Sequence, residues 1–393
     1  MTNWVKVSII IFLYIFFYFL FRGFLLTPNE GDSIGYHIPI AKSIISGEFL
    51  SPNYSVTFKD APIARLYFPA ASELILAMFL ILHLPLGWYN LLAWILIFFL
   101  GYKLGVSYGL EKKFSIIFAI SLCTLNTILR WVDAQTVDLW TAVFFIASLY
   151  LLKKPKKSIS YFIILGFSLG MLFGTKYTGA PFALILIIFN FRGLIKKLSV
   201  FRLIFFTILI LIFGVFWYIR NYISIGNPFF PLKFIFFKGT SMYSIAIWKA
   251  FLVFPKSMFN SLFLEFRIWA FALLLPLVLI IKPFYNTKIF KEIPVRLILI
   301  AFLNFIVFLF LPSAPEVNIH ISNFRLAYPV FIPLILSIFL ISQSMSRVEE
   351  LTLISVANMI MIPPITIYPK LVLIYIPIAI IIFRSRLFGK IAR

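Results

Sequence analysis

Acidic side chains are scarce in this chain. Asp and Glu together number 13 among 393 residues, and all charged residues make up 12%. Cysteine is scarcer still, since Cys123 is alone, which excludes an internal disulfide and any multi-cysteine metal site. Two glutamines and three histidines complete the short supply of side chains that hydrogen-bond or titrate near neutrality. With so few charges there is no room for a long soluble tail. Each acid beside an apolar run therefore carries information, because burying it has a cost that only a partner or water offsets.

What is present is apolar. The sequence is 62% hydrophobic, with 49 Phe and a mean hydropathy of +1.05. Soluble domains hold roughly 45–50% apolar residues. Apolar runs close to the length of a bilayer crossing recur from end to end, and a crossing helix needs about 20 residues. The expected class is an all-α polytopic membrane bundle in a single integral domain over 1–393. The first run, Val7 to Leu26, resembles a signal peptide in hydropathy. No small-residue cleavage site follows it and Arg22 interrupts its end, so it reads as a retained helix.

The formal charge of +22 invites a nucleic-acid reading, but its placement argues against one. Lys and Arg fall in short clusters between apolar runs: Lys153 to Lys157, Arg192 with Lys196 and Lys197, Lys282 to Arg296, and the tail Arg384 to Arg393. Such clusters mark cytoplasmic loops. The rule predicts spans near 7–26, 88–109, 114–129, 138–152, 159–174, 178–190, 201–219, 265–281, 296–311, 326–345, 351–363 and 370–383. That is about twelve helices (eleven to thirteen), with both termini inside. Pro69 to Leu84 decides the parity. Its uninterrupted apolar run, Leu74 to Leu82, is nine residues bracketed by Glu73 and His83, so it reads as an interfacial helix in the first outer loop.

Sorting polar residues by side then places nearly all the unusual ones on the outer face. The first outer loop, 27–87, opens with "NEGDSIGYHIPIAKSIISGE", carrying Glu30, Asp32 and His37, and later Arg65 and Tyr67. A second outer turn, "RWVDAQTVD", holds Arg130, Asp133 and Asp138. A third, "GTKYTG", holds Lys176 and Tyr177. The outer loop 220–264 begins with Arg220 and Asn221, and a fifth contains Asn323 and Arg325.

This layout suits a lipid-linked substrate that enters sideways from the bilayer with its polar head in a wet pocket. A phosphate head needs fixed cations, for which Arg65, Lys176, Arg220 and Arg325 are candidates. A hydroxyl nucleophile needs a carboxylate base about 3 Å away, for which Asp32 is the candidate. Asp32 has a second reading as the cap of the helix that follows it. Glu30 reads as a solvated acid or, with Asp32, as part of a divalent-metal site, although two carboxylates are thin for such an ion. Asp138 is expected to pair with Arg130 or another cation.

These residues carry a resemblance. "NEGDS" followed by "GYHIPIAKSIISGE", then "ARLYFPAASELILA", "DAQTVDLWTAVFFIASLYLL", "GFSLGMLFGTKYTGAP", "FWYIRNYISIGNPFFP" and "NFRLAYPVFIPLIL" occur in an order that resembles the GT-C superfamily of membrane glycosyltransferases. Protein O-mannosyltransferases and the aminoarabinose transferases of lipid A belong to it. The resemblance covers about residues 7 to 345. It implies inverting transfer of one sugar from a polyprenyl-phosphate donor, of dolichyl or undecaprenyl type, to an acceptor hydroxyl on a lipid, glycan or protein. By that implication Asp32, with Glu30 beside it, is catalytic. His37, Arg65, Tyr67, Asp133, Asp138, Lys176, Tyr177, Arg220, Asn221, Asn323 and Arg325 are then donor- or acceptor-binding. No cofactor is implied beyond a divalent metal at Glu30 and Asp32. Leu326 departs from the Tyr often found there, and the large soluble C-terminal domain of some members is missing.

Two other classes remain open at this point. One is a polymerase or ligase of polyprenyl-linked glycans, which has outer-face arginines but no need of the early acidic motif. The other is a lipid or sugar transporter, which would favour repeated halves and polar groups at mid-membrane. No such repeat is evident.

Overall fold

The computed structural model describes residues 3–25, 27–28, 30–50, 67–153, 155–233, 236–239, 245–278, 294–313 and 323–360. Arg65, most of the basic stretch from Lys282, the span expected at 370–383 and the basic tail lie outside them. Over the described residues the chain is helical, apart from a two-residue antiparallel pairing of Ile245–Ala246 with Pro312–Ser313.

Four helical stretches have the length and composition to cross a membrane. They are Trp4–Leu25, Trp88–Tyr108, Val200–Ile225 and Pro255–Leu277. Shorter apolar helices cover Ile159–Thr175, Gly179–Ile195, Val295–Phe310 and Tyr328–Ser344. We number the elements used below α1 (Asn3–Leu25), α2 (Ile38–Ser46), α3 (Glu73–Ile81), α4 (Trp88–Tyr108), α5 (Lys112–Cys123), α6 (Asp138–Lys153), α7 (Ile159–Thr175), α8 (Gly179–Ile195), α9 (Val200–Ile210), α10 (Phe216–Ile225), α11 (Ile247–Val253), α12 (Pro255–Phe266), α13 (Val295–Phe310) and α14 (Tyr328–Ser344).

The nine residues of α3 rise about 13 Å, far short of a 30 Å hydrocarbon core, as an interfacial helix requires. His83, at a φ of 51°, turns the chain away just after it.

Three boundaries differ from the hydropathy reading. The span expected at 114–129 stops at Cys123, because the backbone turns extended at Leu125, with a ψ of 135°, before the short turn Asn126–Leu129. The span expected at 201–219 runs on to Ile225 through a π turn at Leu211–Val215, so Arg220 and Asn221 are helical rather than in a loop. The helix expected from 265 begins instead at Pro255, whose fixed φ suits a first helical turn. Its polar Lys256, Ser257 and Asn260 hid that turn from hydropathy. Arg267, at a φ of 50°, ends it, and its guanidinium donates to the Asn358 carbonyl at 2.7 Å.

The core sits where α1, α4, α5 and α6 meet. Trp94 is fully buried there, stacked on Phe12 at 4.5 Å and donating its indole N–H to the Cys123 carbonyl at 2.9 Å. The opposite pattern marks the rim. Val200, Phe201, Leu203 and Ile204 point outward at the start of α9, a surface suited to hydrocarbon rather than water.

A glycine seam fixes one helix pair. Gly166, Gly170 and Gly174 recur every fourth residue on α7, the first two facing the α9 backbone and the third facing Phe213 and Trp217 beyond it. A Cβ at Gly170 would lie 2.6 Å from the Leu209 carbonyl oxygen, and one at Gly166 would lie 2.8 Å from that of Phe206. Small residues permit this close approach, a common device of helices packed in lipid. The seam holds the C-terminal end of α7, and so the residue after it, in place.

Gly170→Val is expected to lower stability by about 1–3 kcal/mol, the usual cost of overpacking, read as an earlier thermal transition in detergent. Gly193→Ala is the matched control, because its Cβ meets only Pro155, at 3.7 Å.

Candidate functional site at the outer loops

Helix α7 ends at Thr175, where the backbone turns extended at Lys176. Thr175 Oγ1 donates to the Met171 carbonyl at 2.6 Å and shares a hydrogen bond with Ser72 Oγ at 2.7 Å. The Ala71 N–H donates to the Gly174 carbonyl at 2.9 Å, so the segment before α3 grips the helix end. Lys176 follows in an extended conformation before the chain re-enters α8 at Gly179. This break delivers the Lys176 ammonium to Asp138 Oδ1 at 2.6 Å.

Asp138 stands in the first turn of α6, where a carboxylate faces the positive end of the helix. The loop before it is held from three sides. Asn90 donates to the carbonyls of Trp131 and Thr136, Gln135 Nε2 donates to the carbonyl of Leu86, and the Gln135 N–H donates to Ser33 Oγ. Asp138 is buried to 1% and receives a second cation, with Arg325 Nε at 3.6 Å from its Oδ2. Arg325 comes from the single 3-10 turn Phe324–Leu326 just ahead of α14. It lies over the Trp131 ring at 5.1 Å and donates through Nη2 to Asp32 Oδ2 at 2.9 Å.

Four charged groups from four distant parts of the sequence thus meet in one cluster. Asp138 is its closed floor, while Asp32, Arg325 and Lys176 keep side-chain exposures of 25%, 16% and 19%. The open side carries one acid and two cations.

The capping alternative for Asp32 is filled by its neighbour. Glu30 accepts from the N–H groups of Asp32 (3.1 Å) and Ser33 (2.7 Å) and from Ser33 Oγ (2.8 Å). Asp32 makes no side-chain capping bond and turns to Arg325 instead. Burial tends to raise the Asp32 carboxyl. The positive charges of Arg325 and Lys176 outweigh that and hold it below its ordinary value of 3.8, so it is ionised at neutral pH. The turn Ser33–His37 that follows is a π turn, and its wider helical turn brings residues five apart, Asp32 and His37, towards one side.

Four other expected site residues gather in a second network. Arg220 Nη2 and Asn221 Nδ2 both donate to the Tyr67 carbonyl, at 3.0 and 2.8 Å. Asn221 also donates to the Tyr177 hydroxyl at 2.7 Å, and that hydroxyl donates to the Phe230 carbonyl. The Arg220 guanidinium lies between the rings of Trp217 and Tyr67, at 5.2 and 5.8 Å, and the residue is 6% exposed. This network fastens the loop after α10 onto the segment at Tyr67, and its donors face neutral protein oxygens.

Asp133 lies apart from the cluster, paired with Arg22 at the end of α1 at 2.5 Å. Arg130 faces Glu265 of α12 rather than Asp138. Asn323 is buried at the start of the Arg325 turn. His37 is buried against Glu73, with Nδ1 at 2.7 Å from Oε1. Sequence reasoning used Glu73 and Trp131 only as landmarks. An acid opening a nine-residue apolar helix was the available sign that Glu73 needs a buried partner. Among the described residues, no group of three or more His, Cys, Asp or Glu side chains is placed to hold a metal ion. Glu30 spends both oxygens on the turn it caps.

Compared with known proteins, the chain matches no family model, no curated protein and no solved structure.

Asp138→Asn is expected to cost about 3–5 kcal/mol, because two cations lose their buried partner, and to exceed Asp32→Asn in an unfolding titration. The pH dependence has a definite sign. A carboxyl depressed in the folded state adds stability that is full above about pH 4 and lost as pH falls through its folded titration. The stability gap between the wild type and Asp32→Asn is therefore expected to be open at pH 6 and to close in acid.

Proposed function

We propose that the chain is a membrane glycosyltransferase that moves a single sugar from a polyprenyl-phosphate donor to an acceptor hydroxyl, with inversion. The observation that carries the reading is the cluster itself: one accessible carboxylate beside two cations, all resting on a buried acid at the loop ends of apolar helices. This is the minimum set for the reaction. The donor's leaving group is a phosphate, which needs fixed positive charge, and the acceptor needs a base.

In this mechanism Lys176 and Arg325 bind the phosphate oxygens, and Asp138 holds both cations in place while carrying no proton itself. Arg325 contacts Asp32 in the resting protein. An arriving phosphate competes for that guanidinium and frees Asp32 towards the acceptor. The acceptor oxygen then attacks the anomeric carbon opposite the phosphate. The bond from carbon to phosphate oxygen breaks with its electron pair staying on the phosphate, where the two cations stabilise it. Asp32 takes the acceptor's proton.

The reading includes about twelve spans, a catalytic rim on the outer, extracytoplasmic face of a cell membrane, and cytoplasmic termini. The four long apolar helices, the short α3 and the basic loops between spans support it. The sugar acceptor is a lipid, a glycan or a protein hydroxyl.

Asp32→Asn is expected to reduce transfer by about 100-fold or more while the purified protein still folds and binds polyprenyl phosphate. The measurement is mass spectrometry of lipid-linked sugars and acceptors after incubation of reconstituted protein with a mixed polyprenyl-phosphate-sugar pool. Movement of lipid or sugar across the bilayer that survives the substitution, without any transfer, would replace the enzyme with a carrier.

A further inference from the structure

The mechanism above leaves Asp32 with a difficulty. A carboxylate held low by neighbouring cations is ionised but retains a proton poorly, while efficient proton transfer favours a group that titrates near the working pH. The candidate to relieve it stands on the same turn. His37 is 1% exposed, and its Nδ1 lies 2.7 Å from Glu73 Oε1, whose side chain is equally buried. Nδ1–H donates to the carboxylate, which fixes the tautomer and leaves the lone pair on Nε2. That nitrogen is buried and has no hydrogen-bond partner among the described residues. A buried polar atom without a partner is costly, so a position oriented this way calls for a function. Tyr36 packs on the ring at 4.0 Å and limits its rotation.

The surroundings suit proton exchange. His37 closes the π turn that Asp32 opens, so the two residues lie towards one side of it. The charged and titratable groups facing it are Asp32 on its own turn, Glu73 on α3 and Asp138 on α6. Lys176 and Arg325 are held by those acids, and Tyr89 of α4 lies against Glu73 and Asp138. The arrangement repeats the general logic of a base oriented by a third group.

We infer that Glu73 and His37 form a proton-accepting dyad for this site, with His37 Nε2 taking over the proton that Asp32 removes from the acceptor hydroxyl. This rests on the glycosyl-transfer reading and extends it. The balance is simple. The acceptor O–H bond breaks, its proton passes through Asp32 to Nε2, and the imidazolium is neutralised by the Glu73 carboxylate. The electron pair of the broken glycosidic bond leaves on the phosphate, and the imidazolium later returns the proton to water. Glu73 is a positioning residue in this scheme, because it acts only through His37.

The test has a part that needs no substrate. Full-length protein labelled with 15N-histidine is titrated by NMR in detergent, with His37 assigned through His37→Gln. The expected result is an Nδ1–H tautomer in the wild type and a protonation midpoint that moves down in Glu73→Gln as the stabilising charge is lost. An Nε2–H tautomer, a ring that takes up no proton, or a midpoint indifferent to Glu73→Gln overturns the dyad. If Glu73→Gln does not fold, the wild-type titration alone decides. The second part uses the polyprenyl-phosphate-sugar assay. His37→Gln is expected to lower transfer about tenfold or more at neutral pH and to remove the loss of rate on the acid side. A rate and pH profile equal to wild type refute the relay while glycosyl transfer stands. Wild-type protein inert towards every donor in the pool refutes the transfer reading and, with it, the relay.

Discussion

The charged cluster depends on a single buried carboxylate. Asp138 is almost fully enclosed yet must be charged to hold Lys176 and Arg325. A lone ion in such surroundings costs several kcal/mol, and removing one member of a buried pair costs more than the pair itself contributes. Asp138 therefore requires two cations from elsewhere in the chain to arrive at fixed places. The break after α7, the turn ahead of α14 and the first turn of α6 are three answers to that requirement. A two-cation clamp facing outward is its consequence.

The same rule extends along the rim. Among the described residues, Asp32, Asp133, Asp138, Glu73 and Glu265 each face a basic partner, namely Arg325, Arg22, Lys176, His37 and Arg130. Scarce acids in an apolar chain serve as anchor points between loops that hydropathy leaves unattached. Glu30 is the exception that proves useful, because it satisfies the backbone of the turn and leaves Asp32 to the cluster. The Arg220 network does comparable work with neutral acceptors. Its guanidinium is stacked between two rings and directed at protein carbonyls, so it fastens loops and Arg325 is the cation left beside the accessible acid.

The sequence was most readable where one-dimensional patterns carry the physics. The nine-residue length of α3 was visible as an apolar run closed by Glu73 and His83. The long spans were visible because a membrane helix must satisfy its backbone internally and present hydrocarbon outward. Boundaries failed where the backbone leaves the helix inside an apolar run, as at Leu125, or where polar residues sat in a true helix, as at Lys256 to Ser261 and at Arg220 and Asn221, which carry the span expected at 201–219 on to Ile225.

For the site, composition and order supplied the candidates and the side of the membrane on which to seek them. A carboxylate after the first span, a lysine between two short spans and an arginine before a proline-rich helix are features of sequence alone. Which of them meet is not. Asp32 and Arg325 lie almost at opposite ends of the chain, and Asp138 had Arg130 as its nearest basic neighbour in sequence. Only packing chose Lys176 and Arg325 for Asp138, Glu265 for Arg130, Arg22 for Asp133 and Glu73 for His37. The reason is that an ion pair forms between neighbours in space, and helix packing sets that neighbourhood, whereas hydropathy records only which segments leave water.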